Sequence, residues 1–297
     1  GGGSSDDSPA TTNPSGTPTN NIQNPVVKVE AYTSTNLGSV AAESSILTYK
    51  MLGQSGQEVQ ATSLVFTPNT PPPVGGWPIV VWAHGTTGVA DACAPSKAAL
   101  ADSTKDLISK LLAAGYVVVA PDYEGLGTPG IHPFLNVKSE AFSITDAVVA
   151  ARNYLSQRNL LTSKKWVTVG YSQGGHAALG AAQYASRAQL DYKGTVAVAP
   201  ASNLGFILIA GEQSVANATL DKKISMYAQL DTYTALVTAG IRNTQPTFDY
   251  PQVFTPKISS IAQQAETICS GPLGQAFGAG MTQYATEHNG TLDGYTR

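Results

Sequence analysis

Four short apolar runs constrain the fold of this chain more than any other feature of its sequence. They read PIVVWA, YVVVA, WVTVG and TVAVA, at residues 78–83, 116–120, 166–170 and 195–199. Short runs rich in β-branched residues are typical of strands buried on both faces of a sheet. The segments between them repeat apolar residues at helical spacing and predict helices over 96–114, 138–155 and 173–187. This alternation predicts an α/β fold with a mostly parallel sheet and helices on both faces.

The composition excludes several classes of protein. Charged residues make up 12% of the 297 residues, the net charge is −3, and the Lys and Arg residues are scattered singly. We therefore expect no nucleic-acid partner, because phosphate binding needs a basic surface. No apolar run approaches the roughly 18 residues that would span a bilayer. The two cysteines belong to no CxxC motif and to no histidine cluster, so the sequence indicates no metal site and no cofactor.

The two ends of the chain lack the alternation of strands and helices that is predicted for its middle. Residues 1–24 are almost entirely Gly, Ser, Thr, Pro, Asn and Asp, which predicts a disordered tether. Its GGGSS opening resembles the stretch that follows the lipidated cysteine of bacterial lipoproteins, and an artificial linker is the alternative. Early strands are predicted at 26–31, 46–51 and 61–67, which gives an α/β core over 25–200. Beyond residue 200 the alternation is lost, and helices are predicted at 222–240, 258–269 and 274–284.

A G-x-S-x-G motif, Gly170-Tyr171-Ser172-Gln173-Gly174, follows the strand WVTVG and precedes an Ala-rich helix. Between a strand and a helix, this motif forms a tight turn that exposes the serine hydroxyl above the sheet. The turn also aims the positive end of the helix dipole at the serine. We predict that Ser172 is a nucleophile and that the backbone N–H of Gln173 donates to an oxyanion.

A second loop lies where acyl-transfer chemistry needs another donor. His84-Gly85-Thr86 directly follows the strand PIVVWA, and in such folds this loop completes the oxyanion hole. Thr86 is the predicted donor, through its N–H and its hydroxyl. His84 precedes the nucleophile in the chain, so we expect it to hold this loop at the wall of the substrate pocket. His176, one helical turn after Ser172, is predicted to be a packed or hydrogen-bonded core histidine.

Four stretches together resemble a known family, the α/β-hydrolases of the secretory lipase group, which includes fungal lipases and many bacterial esterases. The stretches are HGTTG with the following DACAPS, then PDYEGLG, HPFL and GYSQGGHAAL, in this order between residues 84 and 179. The resemblance implies a serine hydrolase of small-molecule or lipid carboxylic esters, with Thr86 and Gln173 as its oxyanion hole. It also implies that Tyr123 lines the approach to Ser172.

The same resemblance implies a helical cap inserted after the sixth strand, which residues 201–297 fit in character. Apolar cap residues would form an acyl pocket; they are Phe206, Ile207, Leu208, Ile209, Tyr227, Leu230 and Tyr233. Other chemistry on the same scaffold, an acyltransferase or a peptidase, is one alternative. A non-catalytic surface lipoprotein that serves as a binding module is another.

The remaining members of a catalytic triad are difficult to find in this sequence. In this fold the acid and the histidine follow the nucleophile in that order, and the acid comes directly after a strand. Asp249 and His288 are the best internal pair, yet neither follows a strand-like run. We therefore expect the catalytic Asp and His beyond residue 297, after the final strands, on the missing part of a truncated chain or on a second polypeptide.

The two cysteines also bear on the compartment in which the protein works. In an extracytoplasmic protein, a single pair such as Cys93 and Cys269 favours one disulfide over two free thiols. We predict a protein that is secreted, periplasmic or anchored to the outer membrane through a lipidated N-terminus.

Overall fold

A computed structural model describes residues 16–201 and 217–297. Its seven strands form one mixed sheet in the order β1-β2-β3-β5-β4-β6-β7. The strands are β1 Val26–Ala31, β2 Ala41–Leu52, β3 Glu58–Pro68, β4 Trp77–Ala83, β5 Val117–Pro121, β6 Thr162–Tyr171 and β7 Asp191–Val198. Neighbours among β5, β4, β6 and β7 are parallel, whereas β1, β2 and β3 pair antiparallel and join the rest through β3 and β5. The four apolar runs of the sequence thus form the parallel half of the sheet.

Helices cover the sheet on both faces. Helix α1 (Asp102–Ala113) packs on β3 and β5, while α2 (Val137–Gln157) and α3 (Gln173–Tyr184) pack together on the opposite face. Every residue of β5 is buried between these layers. At the far edge, β7 pairs only with β6 among the described strands, and Val196 and Val198 are 56% and 50% exposed.

The chain after β7 forms an all-helical unit, here called the cap, over residues 220–297. Its helices are α4 Leu220–Arg242, α5 Pro256–Ala262 and α6 Ser270–Glu287. Their apolar core includes Val89 and Phe134, which belong to loops of the sheet domain, so the cap packs directly on those loops. The resemblance placed the cap after a sixth strand, whereas seven described strands precede it here.

The predicted disulfide is confirmed. Cys93 and Cys269 are bonded, with their Cα atoms 5.5 Å apart, and the bond joins the loop after β4 to the start of α6. Gly88, at the end of the HGTTG loop, lies directly against this bridge. The bridge therefore connects the cap to the loop predicted to hold the oxyanion.

Two expected boundaries need correction. The helix predicted from residue 96 begins at Asp102, because Ser96 turns away to bind Asp122 through its backbone N–H and its hydroxyl. The described end of the expected tether, 16–24, packs on the core. Asn20 donates to Asp146 there, and Pro18 accepts from Arg187, so a buried ion pair holds this segment in place. Residues 1–15 lie outside the described residues, and no helix of the described chain is long and apolar enough to cross a membrane.

Candidate active site

Ser172 lies at the sharp turn between β6 and α3. Its φ is +55°, in the left-handed region that costs energy for a residue with a side chain. The turn is possible because the residues two positions before and two positions after Ser172 are glycines. A Cβ on Gly170 would lie 1.9 Å from the Gly174 oxygen, and one on Gly174 would lie 1.9 Å from the Ala83 oxygen. The glycines of the motif therefore allow β6, α3 and the end of β4 to approach each other closely.

Backbone hydrogen bonds hold this turn from both sides. The Ser172 N–H donates to the Val198 carbonyl at 3.0 Å, and the Ser172 carbonyl accepts from the N–H groups of His176 and Ala201 at 3.1 and 3.2 Å. The turn is thus fixed to the end of β7 as well as to α3.

The HGTTG loop lies directly beside the nucleophile. A Cβ on Gly85 would lie 4.0 Å from the Ser172 Cβ. The Thr86 hydroxyl is buried and has no hydrogen-bond partner within the described parts of the chain. Gln173 is the first residue of α3, where backbone N–H groups have no partner within the helix. Gln173 and the loop that carries Thr86 therefore both lie next to the serine.

The side chain of His84 connects the HGTTG loop to the end of β5. Its Nε2 lies 2.9 Å from the Asp122 carbonyl, and its Nδ1 lies 2.6 Å from the Gly85 carbonyl. Burial lowers the pKa of His84, while the hydrogen bonds to the two carbonyls oppose this shift. The ring also forms part of the wall of a cavity of about 780 Å³ between the loop and α1.

Tyr123 differs from its predicted position. It is fully buried, and so it does not line an open approach to Ser172. Its hydroxyl donates to the His84 carbonyl at 2.7 Å, and its ring stacks on His84 at 4.2 Å between centroids. Tyr123 is therefore a support beneath the HGTTG loop.

The Gln173 side chain joins a buried network that the sequence did not reveal. Burial lowers the pKa of His132 to about 4, so its ring is neutral. Its Nδ1–H donates to the Glu124 carbonyl at 2.7 Å, and its Nε2 accepts from the Gln173 amide at 2.6 Å. The same amide lies 3.4 Å from Glu140. This network fixes the side chain of Gln173, the residue whose N–H is the predicted oxyanion donor.

Glu140 also binds the histidine that follows the motif. It is fully buried on α2, and its Oε2 lies 2.6 Å from His176 Nδ1. This hydrogen bond raises the pKa of His176. His176 is thus hydrogen-bonded in the interface between α2 and α3, as its position in the sequence suggested.

A row of aromatic rings connects the HGTTG loop to the cap. Tyr123 stacks on His132 at 5.7 Å between centroids, and His132 meets Phe134 edge-on at 6.4 Å. Phe134 lies 6.0 Å from Tyr233 of α4. The Tyr233 hydroxyl then lies 3.4 Å from Ser172 Oγ. The row therefore begins at His84 and ends at the nucleophile.

A cavity of about 670 Å³ opens between α4, α6 and the nucleophile turn. It is lined by Thr86, Tyr171, Tyr233 and Leu236, together with small residues of α6. Of the cap residues predicted to form an acyl pocket, Tyr233 lines this cavity, Leu230 is buried, and Tyr227 faces a different cavity beside Arg297. The predicted residues 206–209 lie outside the described residues.

The structure does not place the internal acid–base pair near Ser172. Asp249 caps a short helical turn and forms an ion pair with Arg242 at 3.0 Å. His288 is exposed, stacks on Tyr284 at 3.8 Å between centroids and hydrogen-bonds the Tyr284 carbonyl. Both residues thus engage other parts of the cap. Within residues 16–201 and 217–297, no three His, Cys, Asp or Glu side chains are grouped to hold a metal ion.

Comparisons with known proteins show the family of this chain. A model of the secretory lipase family matches residues 95–290, more than half of the chain. No curated protein matches the chain in sequence.

Many solved chains match this fold, among them three from different organisms. A protein of Legionella pneumophila is 18% identical, with a TM-score of 0.66 over 85% of this chain and 70% of that one. LipA of Xanthomonas oryzae, a rice cell wall degrading esterase, is 22% identical, with a TM-score of 0.63 over 84% and 69%. Candida antarctica lipase A is 20% identical, with a TM-score of 0.61 over 82% of this chain and 56% of that one. The chain thus spans little more than half the length of lipase A, and its fold is that of the α/β-hydrolases.

Proposed function

This chain belongs to the secretory lipase family, whose members are carboxylic ester hydrolases, and we propose that it cleaves esters through an acyl-enzyme formed on Ser172. The observation that carries the proposal is the turn at Ser172, which is strained, fixed on both sides, and adjacent to the HGTTG loop. Strain of this kind persists only where the surrounding structure maintains it, and it is concentrated at functional sites.

The proposed chemistry follows from the groups around the serine. Ser172 Oγ attacks the ester carbonyl carbon, and the negative charge moves to the carbonyl oxygen. The N–H groups of Thr86 and Gln173 then stabilise this oxyanion, and a single such donor contributes about 3 kcal/mol to the transition state. The Thr86 hydroxyl has no partner among the described residues, which supports a third hydrogen bond to the same oxygen.

The acid and the base are proposed to come from polypeptide outside the described residues. In this fold they lie at the carboxyl ends of strands that follow the nucleophile. The exposed edge of β7 supports this proposal, because its valines can pack against a further strand and Val198 is hydrogen-bonded to Ser172. A strand paired there would bring its carboxyl end to the side of the sheet where Ser172 lies.

The substrate is proposed to be a small-molecule or lipid ester. The cavity beside Ser172 has an apolar wall formed by Ile224, Ala228 and Leu236, which suits an acyl chain. The family and the disulfide support a location outside the cytoplasm, and a lipidated N-terminal tether remains part of this proposal.

Labelling of Ser172 with a fluorophosphonate tests this function. We expect one adduct on the full-length protein, none on Ser172→Ala, and a normal adduct on Ser260→Ala, which removes an exposed cap serine. Ser172→Ala should also lower ester hydrolysis by about 10⁴-fold or more. An unlabelled wild-type protein would overturn the proposal and favour a binding module.

A further inference from the structure

Tyr233 brings a cap hydroxyl to the nucleophile. Its Oη lies 3.4 Å from Ser172 Oγ, and its side chain lines the cavity that also contains Thr86. We propose that Tyr233 is a catalytic residue, whose hydroxyl donates a hydrogen bond to the oxygen of the departing alcohol. This inference rests on the proposed function, because it requires Ser172 to be the nucleophile.

The hydroxyl is held in place by the elements around it. The Tyr233 ring packs on Phe134, at 6.0 Å between centroids, and Phe134 packs on the buried His132. Two helical turns further along α4, a Cβ on Gly240 would lie 2.9 Å from the Phe134 nitrogen. Helix α4 therefore contacts the backbone of this loop, which sets the distance from Tyr233 to the nucleophile.

The position suits the step in which the alcohol leaves. When Ser172 Oγ bonds to the carbonyl carbon, the tetrahedral intermediate carries Oγ and the alcohol oxygen on the same carbon. A hydroxyl next to Oγ is therefore within reach of the alcohol oxygen. The bond between the carbon and that oxygen then breaks, and the oxygen takes the proton that the base removed from Ser172.

Tyr233 keeps its own proton throughout these steps. Its O–H donates to the alcohol oxygen while negative charge builds there, and its own oxygen carries no charge. In the second half of the reaction, the attacking water takes the place that the alcohol left.

The expected effect depends on the leaving group. An alkoxide is strongly basic, so a hydrogen bond to it strengthens as the bond to carbon breaks. A 4-nitrophenolate delocalises its charge into the ring and gains little from the same donor. Tyr233 should therefore favour the release of alkyl alcohols over that of activated phenols.

Tyr233→Phe tests this inference, because it removes the hydroxyl and keeps the ring on Phe134. The measurement is kcat/KM of the full-length protein, which reports acylation, for ethyl butyrate and 4-nitrophenyl butyrate. We expect a fall of about tenfold for the ethyl ester and of less than about twofold for the nitrophenyl ester, the size of one hydrogen bond in the transition state.

Tyr227→Phe is the matched control, since Tyr227 lies on the same helix and faces Arg297. It should leave the ratio of the two kcat/KM values unchanged. An equal loss on both esters in Tyr233→Phe, or no loss on either, would overturn the role of Tyr233. Full hydrolysis of both esters by Ser172→Ala would instead refute the proposed function.

Discussion

The nucleophile turn and the cap meet at Ser172, and they are held together in different ways. In the turn, backbone approaches backbone, and the Gly174 Cα leaves no space for a methyl group next to Ala83. In the cap, helices α4 and α6 pack through side chains, and a Cβ on Gly278 would meet Ile224 and Ala228 at 3.8 and 4.0 Å, in ordinary contact. We therefore expect one added methyl group to destabilise the protein strongly in the nucleophile turn and to change its stability little in the cap.

The largest expected effect is the difference in stability between an alanine placed in the turn and one placed in the cap. Gly174→Ala should cost at least about 5 kcal/mol of the free energy of unfolding, because the new Cβ meets a carbonyl oxygen that cannot move without displacing β4. Gly278→Ala should raise that free energy by about 0.5–1 kcal/mol, since alanine is the better residue inside a helix. Urea unfolding of both variants measures this. Equal effects at the two positions would refute the comparison.

A smaller loss is expected when the covalent link between the regions is removed. The double variant Cys93→Ala, Cys269→Ala opens a bridge with a sequence separation of 176 and should cost roughly 4 kcal/mol. Fluorophosphonate labelling of Ser172 should persist under native conditions, because the turn is held by β6, β7 and α3. If labelling were lost in a variant that remains folded, the turn would depend on the cap.

A still smaller loss than that of the disulfide concerns charge and depends on pH. The carboxylate of Glu140 raises the pKa of His176 above its ordinary value of 6.5. Because the folded-state pKa of His176 is the higher one, this contribution is complete below about pH 6.5 and is lost as the pH rises through the raised pKa. Burial also raises the pKa of Glu140, so protonation of that carboxylate removes the ion pair again at more acidic pH. His176→Gln should therefore lower the free energy of unfolding by about 2 kcal/mol at pH 5.5, and by progressively less at alkaline pH.

Asp249→Asn gives the corresponding measurement in the cap. The side chain of Asp249 is 49% exposed beside Arg242, and asparagine can still cap the following turn. We expect a loss below about 1 kcal/mol, since exposed ion pairs contribute little. If Asp249→Asn lowered the free energy of unfolding more than His176→Gln does, the expected order of the two effects would be wrong.

The sequence predicted what depends on local pattern. The four apolar runs became β4, β5, β6 and β7, and the GYSQG motif became a turn, because both follow from residue order along a short stretch. The predicted start of α1 at residue 96 was wrong, because Asp122, 26 residues away, binds Ser96 and keeps it out of the helix.

The rest of the site depends on contacts that no local pattern encodes. Glu140 meets His176 across 36 residues, and Tyr233 meets Ser172 across 61 residues. Each pair forms only when two helices pack at a particular distance. His132 belongs to the HPFL stretch that carried part of the resemblance, so its presence near the site could have been expected, although its bond to Gln173 could not.

The edge of β7 has a consequence for handling the protein. Among the described strands β7 pairs only with β6, and an open edge with exposed valines is a template on which any other strand can grow. Where the proposed further strand is absent, two copies of this chain can pair through their β7 edges. Dilute, quickly purified samples should therefore stay dispersed longer than concentrated ones, and a charged residue at Val196 should delay the turbidity that builds on storage.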